Sequence, residues 1–259
     1  MQRRAKDAFA SAILAEDRVA GQTARACGKN TMAEEIEIKC RLKSVAAFRE
    51  ALERIGARPV VAPAARAVNR AASPRVHEMN DLFDTPKGRF AKHRQLVRVR
   101  VRKTRGAGGK GPAHEQILFT YKGPASRSPK DGRGARTRAY ARRHKVREEV
   151  EIEVTNDAAL KQILAGMGLR PWFRYEKYRT TYCLPPNRSW ARGLVIELDE
   201  TPVGNYVELE GPAEAIDRAA SLLGFHPWEY ITKSYLQIYL KACRRNGTRP
   251  GNMLFRRRR

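Results

Sequence analysis

The sequence predicts an α+β fold, a closed or nearly closed antiparallel β-barrel with a polar interior and helices packed on its outside. Three observations predict it. Several strand-length stretches alternate acidic with apolar side chains, others alternate basic with apolar ones, and amphipathic helices recur between them. A strand has a period of two, so each stretch puts its charges on one face and its Val, Ile or Leu on the other. A single such strand, taken alone, reads as an ordinary half-buried strand with its charges in water. At least seven candidate strands carry charged faces of both signs, and the helices have greasy stripes to bury. Helices covering the apolar faces from outside would leave the charges pointing inward, lining a tunnel.

In chain order, residues 1–31 are read as a disordered extension or a mis-assigned start, because Met32 directly precedes the first acidic strand. Ala5–Ala15 is weakly helical, and Asp7, Glu16 and Asp17 argue against a transit peptide. Glu35-Ile36-Glu37-Ile38-Lys39 is the first strand. Ser44 caps a helix that carries Phe48, Leu52 and Ile55 and closes at Gly56. Leu96–Arg102 alternates Arg98, Arg100 and Arg102 with valines, and Lys122 ends an apolar strand. The stretch 125–145 is rich in Arg, Gly and Ser and reads as a loop. Glu149-Val150-Glu151-Ile152-Glu153 is the second acidic strand, followed from Asn156 or Asp157 by a helix with Leu160, Ile163, Leu164 and Met167 that closes at Gly168. Tyr175–Thr180 carries Lys177 and Arg179, Val195–Asp199 carries Glu197 and Asp199, and Tyr206–Glu210 carries Glu208 and Glu210. A third helix runs from Pro212 through Ile216, Ala219, Leu222 and Leu223 to Gly224. Each of these three helices ends in Gly-x-x-Pro, at Gly56, Gly168 and Gly224, so acidic strand, helix, glycine stop and proline form a loosely spaced repeat. A fourth helix is predicted from Thr232 through Tyr235, Ile238, Tyr239 and Leu240. Residues 242–259, ending in Arg256–Arg259, read as a basic disordered tail.

Composition sets the bounds. The chain has 259 residues, 42% of them hydrophobic, enough for a packed core, and no run approaches the roughly 20 apolar residues of a membrane helix. Cys27, Cys40, Cys183 and Cys243 are scattered, with no Cys-x-x-Cys pair, which points to a reduced, cytoplasmic protein without disulfide or zinc sites. The net charge of +25 resides largely in the loop and tail. It would draw nucleic acid without sequence preference, or serve only as a solvated basic surface.

The motifs resemble the CYTH superfamily, named for class IV adenylate cyclases and thiamine triphosphatases. Glu35-x-Glu37-x-Lys39 is its opening signature. His77 through Phe83-Asp84-Thr85-Pro86, Val97–Arg100, Thr120–Pro124, Arg147–Glu151, Lys177-x-Arg179, Glu197-x-Asp199-Glu200 and Gly204–Gly211 follow in the family's order, over residues 33–241. The resemblance implies a domain over 32–241 built as an eight-stranded triphosphate tunnel. It implies Glu35, Glu37, Glu149, Glu151, Glu208 and Glu210 as ligands for Mg²⁺ or Mn²⁺. It implies Lys39, Arg98, Arg100, Lys122, Arg147, Lys177, Arg179 and Lys233 as the groups that bind phosphates, with Lys39, Lys122 and Asp199 nearest the reaction. Glu153 is expected to be a paired structural charge. Leu82 departs from the aromatic usual before Phe83-Asp84. The stretches 103–114 and 125–145 are longer than the family's and are expected to cover the tunnel mouth.

Two reactions are compatible with such a tunnel. In a cyclase the ribose 3′ hydroxyl of ATP attacks the α-phosphorus and pyrophosphate leaves; in a triphosphatase water attacks the terminal phosphorus. The texture of the motifs, Thr120–Pro124 and Leu198–Gly211 above all, resembles cyclase-type members. Hydrolysis of tripolyphosphate, thiamine triphosphate or a nucleoside triphosphate is the alternative, and a non-catalytic nucleotide- or RNA-binding module is the alternative of another class. ATP or another triphosphate is the expected partner, with non-specific nucleic acid on the basic loops and tail. No membrane is expected, and a homodimer stays open.

Overall fold

The computed structural model describes residues 33–60, 74–104, 114–124 and 143–256. Nine strands form one antiparallel sheet: β1 (Ala33–Arg41), β2 (Arg58–Pro59), β3 (Arg75–Asp84), β4 (Leu96–Thr104), β5 (His114–Lys122), β6 (Lys145–Val154), β7 (Arg170–Cys183), β8 (Val195–Thr201) and β9 (Gly204–Glu210). Among the described residues five helices accompany it: α1 (Val45–Arg54), α2 (Arg89–Lys92), α3 (Asp157–Gly166), α4 (Ala213–Leu222) and α5 (Tyr235–Arg245). In the order β7-β3-β4-β5-β6-β1-β9-β8 the sheet returns to its start, because β7 also pairs with β8. The ring is a closed eight-stranded barrel, and β2 lies outside it on β7. The expected α+β barrel is therefore present.

The threefold repeat organises the barrel. The acidic strands β6, β1 and β9 are immediate neighbours, and each leads into a helix, α3, α1 and α4 respectively. Each helix ends in the same way. Gly56, Gly168 and Gly224 take φ of +80°, +80° and +84°, where a side chain would be strained. The next residue then reaches back five positions, Ala57 N–H to Leu52 C=O, Leu169 to Leu164 and Phe225 to Ala220, each at 2.9 Å. This is the Schellman closure, which satisfies helix-end carbonyls and turns the chain back onto the sheet.

Helices α1 and α4 cover the outer faces of β1, β8 and β9. Phe48, Leu52, Ile216 and Ala219 pack there with Ile38, Cys40, Ile196, Leu198, Val207 and Leu209 in one core. Each fully buried Leu or Ile contributes about 1.5–3 kcal/mol. Helix α3 behaves differently from the expectation that every acidic strand has its apolar face covered. Leu164 packs with Phe83, Val97, Val99 and Leu169 over β3 and β4, while Val150 and Ile152 on β6 remain exposed. The reason is connectivity, since α3 leads into β7, which pairs with β3, and so lies towards that side.

Three boundaries differ from the sequence expectation. The fourth helix begins at Tyr235, because Ser234 and Gln237 form a reciprocal capping box and Ile231 is held extended by backbone bonds to Lys39. Lys145, expected in the loop 125–145, opens β6; Lys103, Thr104 and His114 likewise belong to strands. The tail expected from residue 242 is corrected for 242–256: residues up to Arg245 complete α5, and the following segment folds back on β7. Met253 exchanges backbone bonds with Arg174 C=O at 2.9 Å and Glu176 N–H at 3.0 Å, and its side chain is 1% exposed. Side chains complete the docking: Asn252 Oδ1 accepts from Arg174 N–H at 2.9 Å, and the Phe255 ring lies 5.2 Å from that of Tyr178. Expectations for residues 1–31, the remaining parts of both loops and Arg257–Arg259 lie outside the described residues.

Candidate active site in the bore of the barrel

Alternation on β1 turns Ile36 and Ile38 outward and Glu35, Glu37 and Lys39 inward. Register then fixes their neighbours. Glu35 lies opposite Arg147, Glu37 opposite Lys145 on one side and Glu210 on the other, and Lys39 opposite Glu208. Across the barrel Lys122 faces Glu149, Thr120 faces Glu151 and Arg98, Glu78 faces both Arg102 and Lys177, and Arg179 faces Asp199. Opposite charges directly across strands attract; like charges repel. The like pairs, Glu37 with Glu210 and Glu197 with Glu208, both involve β9.

Buried ions destabilise a fold by several kcal/mol each unless paired, and here pairing is extensive. Lys122 Nζ lies 2.7 Å from Glu35 and 3.0 Å from Glu149. Arg98 reaches Glu151 at 3.3 Å, and Thr120 donates to the same carboxylate at 2.7 Å. Lys39 bridges Glu37 at 3.1 Å and Glu208 at 2.9 Å, while Lys145 contacts Glu37. Arg179 resolves the Glu197–Glu208 repulsion by contacting both, and it clamps Asp199 at 2.7 and 2.6 Å. Asp199 also accepts from Lys177 at 2.9 Å and from the Tyr235 hydroxyl at 2.6 Å.

The electrostatics divide the bore. Burial, reinforced by Glu37, Glu149 and Glu210 and opposed by Lys122, pushes Glu35 up to about 7. Burial also opposes ionisation of Glu37, yet Lys145 and Lys39 hold its carboxyl well below the usual range. For Lys39, Glu208 and Glu37 outweigh burial and raise the ammonium above its ordinary value. Acids thus crowd where β6, β1 and β9 adjoin, and bases prevail on β4, β5 and β7.

Of the residues singled out in the sequence, Glu35, Glu37, Lys39, Arg98, Arg100, Lys122, Arg147, Glu149, Glu151, Lys177, Arg179, Asp199, Glu208 and Glu210 all belong to this inward set. Arg147 donates to Arg94 C=O at 2.9 Å, and its buried Nε has no hydrogen-bond partner among the described residues. Lys233 is the exception. It is exposed and lines a groove of about 610 Å³ with Gln237, Lys241, Arg244 and Arg245, because Tyr235 takes the inward position on α5. The sequence reading passed over Lys145, Glu78, Asn80 and Tyr235 as site residues. For Lys145 a signal existed, since it precedes Arg147 and Glu149 in the same period of two.

One end of the bore is filled. Leu82, Phe173, Tyr175 and Tyr206 cluster with Tyr235 and Met253, and Lys39 and Lys177 lie 5.5 and 5.1 Å from the Tyr235 ring centroid. The ring faces the ammonium groups while its hydroxyl serves Asp199.

Whether the bore suits a divalent cation is answered by its donors. Carboxylate oxygens are the hard ligands Mg²⁺ and Mn²⁺ prefer. Glu35, buried among three other carboxylates, stands where added positive charge would relieve repulsion. Among the described residues no three acids or imidazoles converge in ligating geometry, the carboxylates being drawn onto lysines. Donor type and placement fit a divalent cation once those lysines are otherwise engaged.

The barrel thus sets a carboxylate wall against guanidinium and ammonium groups across one closed bore. The chain belongs to the CYTH family, whose domain model matches residues 33–223. Members bind triphosphates such as ATP and use divalent metals. Among solved structures, a candidate adenylate cyclase from Vibrio parahaemolyticus superposes with a TM-score of 0.54 at 16% identity, covering 79% of this chain and 96% of its own. A Pyrococcus horikoshii protein gives a TM-score of 0.53 at 20% identity, covering 80% and 99%. At these identities the likeness is one of fold. No curated protein matches the chain. No helix among the described residues is long and apolar enough to cross a membrane.

Proposed function

We propose that the protein is a metal-dependent enzyme acting on a triphosphate, and that its reaction is that of a class IV adenylate cyclase, converting ATP to cyclic AMP and pyrophosphate. One observation carries the triphosphate reading: nearly every cation of the bore is already held by a carboxylate, so phosphates can take over the cations by exchange while the freed carboxylates take up divalent cations. Lys39, Lys122, Arg98, Arg100, Lys177 and Arg179 pass from carboxylate to phosphate oxygens, and Arg147, whose Nε has no hydrogen-bond partner among the described residues, joins them. Glu35, Glu37 and Glu149, released from their lysines, would hold Mg²⁺ or Mn²⁺ together with Glu151, Glu208 and Glu210. When bound, the metal supplies Lewis acidity and lowers the pKa of an attacking hydroxyl or water. Asp199 keeps the Lys177 and Arg179 heads aimed, so that the phosphates meet groups already in place. The arginine forks suit bidentate phosphate contact, and the lysines neutralise charge on the leaving phosphate.

The cyclase assignment rests on the motifs around Thr120–Pro124 and Leu198–Gly211. Hydrolysis is the second reading, favoured by the ionic character of the bore, which grips phosphates whatever they are attached to. A binding module without turnover would need the cations but not the carboxylate wall. The deciding experiment incubates the full chain with ATP, thiamine triphosphate and tripolyphosphate, in Mg²⁺ and then in Mn²⁺, and identifies products by mass spectrometry. Cyclic AMP with pyrophosphate is expected; orthophosphate alone would assign hydrolysis instead, and unchanged substrates would remove the enzyme reading. Replacing Glu35 and Glu37 by Gln is expected to lower turnover by at least about 10²-fold with the fold retained by circular dichroism.

A further inference from the structure

Glu78 stands apart from the other carboxylates of the bore. It sits mid-strand on β3, opposite Arg102 on β4 and Lys177 on β7, and it is wholly buried. Its carboxylate lies 3.2 Å from Arg102 Nε, 3.5 Å from Lys177 Nζ and 3.6 Å from Arg100 Nε. Yet neither oxygen accepts a hydrogen bond among the described residues, and Arg102 Nε makes none either. Beside it Asn80 accepts from Arg100 at 3.1 Å and leaves its own Nδ2 without a partner. Asp199, equally buried, accepts four hydrogen bonds.

A carboxylate kept for structure ties itself down with hydrogen bonds, because an unsatisfied buried anion destabilises the fold by a few kcal/mol. Glu78 instead neutralises three cations at ion-pair distance without capturing any of them. We propose that Glu78 is a resident counter-anion of the bore, which competes with substrate phosphate for Arg100, Arg102 and Lys177 and so sets how tightly a triphosphate is held and how readily product leaves. This rests on the triphosphate reading above. The consequence has a definite sign: removing the charge while keeping the shape makes the bore more attractive to phosphate, whereas loss of a merely structural group would loosen it.

Titration calorimetry of tripolyphosphate into the full chain with Mg²⁺ tests this, comparing wild type with Glu78→Gln. The variant is expected to bind about tenfold more tightly, to show KM and kcat falling together as release slows, and to gain more in thermal midpoint on adding tripolyphosphate than wild type does. Equal or weaker binding by a folded variant, with wild type binding normally, would overturn the role of Glu78 and leave the triphosphate reading standing. Absence of binding to wild type would overturn both. Should Glu78→Gln not fold, Glu78→Asp withdraws the charge by one methylene and is expected to bind about threefold more tightly; unchanged or weaker binding would again reject the role.

Discussion

Two buried acids in one bore show how hydrogen bonding separates an anchor from a tunable charge. Asp199 gathers Lys177, Arg179 and Tyr235, so removing one donor should be felt as lost stability. Tyr235→Phe keeps the ring over Lys39 and Lys177 and deletes only the hydroxyl; it is expected to lower unfolding free energy by about 1–3 kcal/mol in urea titrations. Glu78 should show itself through pH. Burial disfavours its ionisation, but Arg100, Lys177, Arg179 and Arg102 hold its carboxyl well below the ordinary 4.5. A depressed folded value means that the unfolded chain takes up the proton first, so this contribution is present above about pH 4.5 and is lost as pH falls through the folded value. Between pH 7 and pH 4 the thermal midpoint of wild type is therefore expected to fall further than that of Glu78→Gln; equal falls would mean that Glu78 is not ionised in the folded protein. The sequence showed Glu35, Lys39 and Arg98 because each sits in an alternating run. It hid Glu78, whose strand has Asp81 on the opposite face bonded to Arg174, so that β3 is polar on both sides and shows no period.

At the level of elements, alternation was readable wherever one face of a strand is charged and the other apolar, whether that apolar face packs under a helix, as on β1 and β9, or stays exposed, as on β6. The glycine stops were readable as well, because a left-handed residue after an amphipathic run has few other uses. What could not be read is contact between distant segments. Tyr235 fits a greasy helical stripe as well as any aromatic, and only the folded chain directs its hydroxyl to Asp199. Residues 246–256 look like tail because Arg, Gly, Asn and Pro surround one short apolar run, yet β7 recruits them through backbone bonds at Met253, the Asn252 side chain and the Phe255 ring against Tyr178. Met253 then joins the cluster of Leu82, Phe173, Tyr175, Tyr206 and Tyr235 at the closed end. Met253→Ala is expected to destabilise the protein by about 2–5 kcal/mol in urea unfolding. If Met253→Ala unfolds at the wild-type urea concentration, the C-terminal segment does not hold the plug.

For the molecule as a whole, pairing inside the bore decides where the excess charge must be. Inward cations and carboxylates largely cancel, so the net +25 is carried by residues other than this inward set. One part of it is the groove along α5, whose Lys233, Lys241, Arg244 and Arg245 form no ion pair among the described residues. Outer and inner charges should answer differently to salt. Surface contacts with a nucleic acid backbone release counter-ions, and six or more of them would lose about 10³-fold in affinity between 50 and 200 mM salt. Charges buried in a closed barrel are screened much less. A filter-binding titration of single-stranded RNA against the full chain is therefore expected to collapse over that range, while KM for the triphosphate in the same buffers moves only severalfold. Parallel losses in both would mean that the substrate is held by the same exposed cations as the RNA, and the charge-lined bore would then not be the site of turnover.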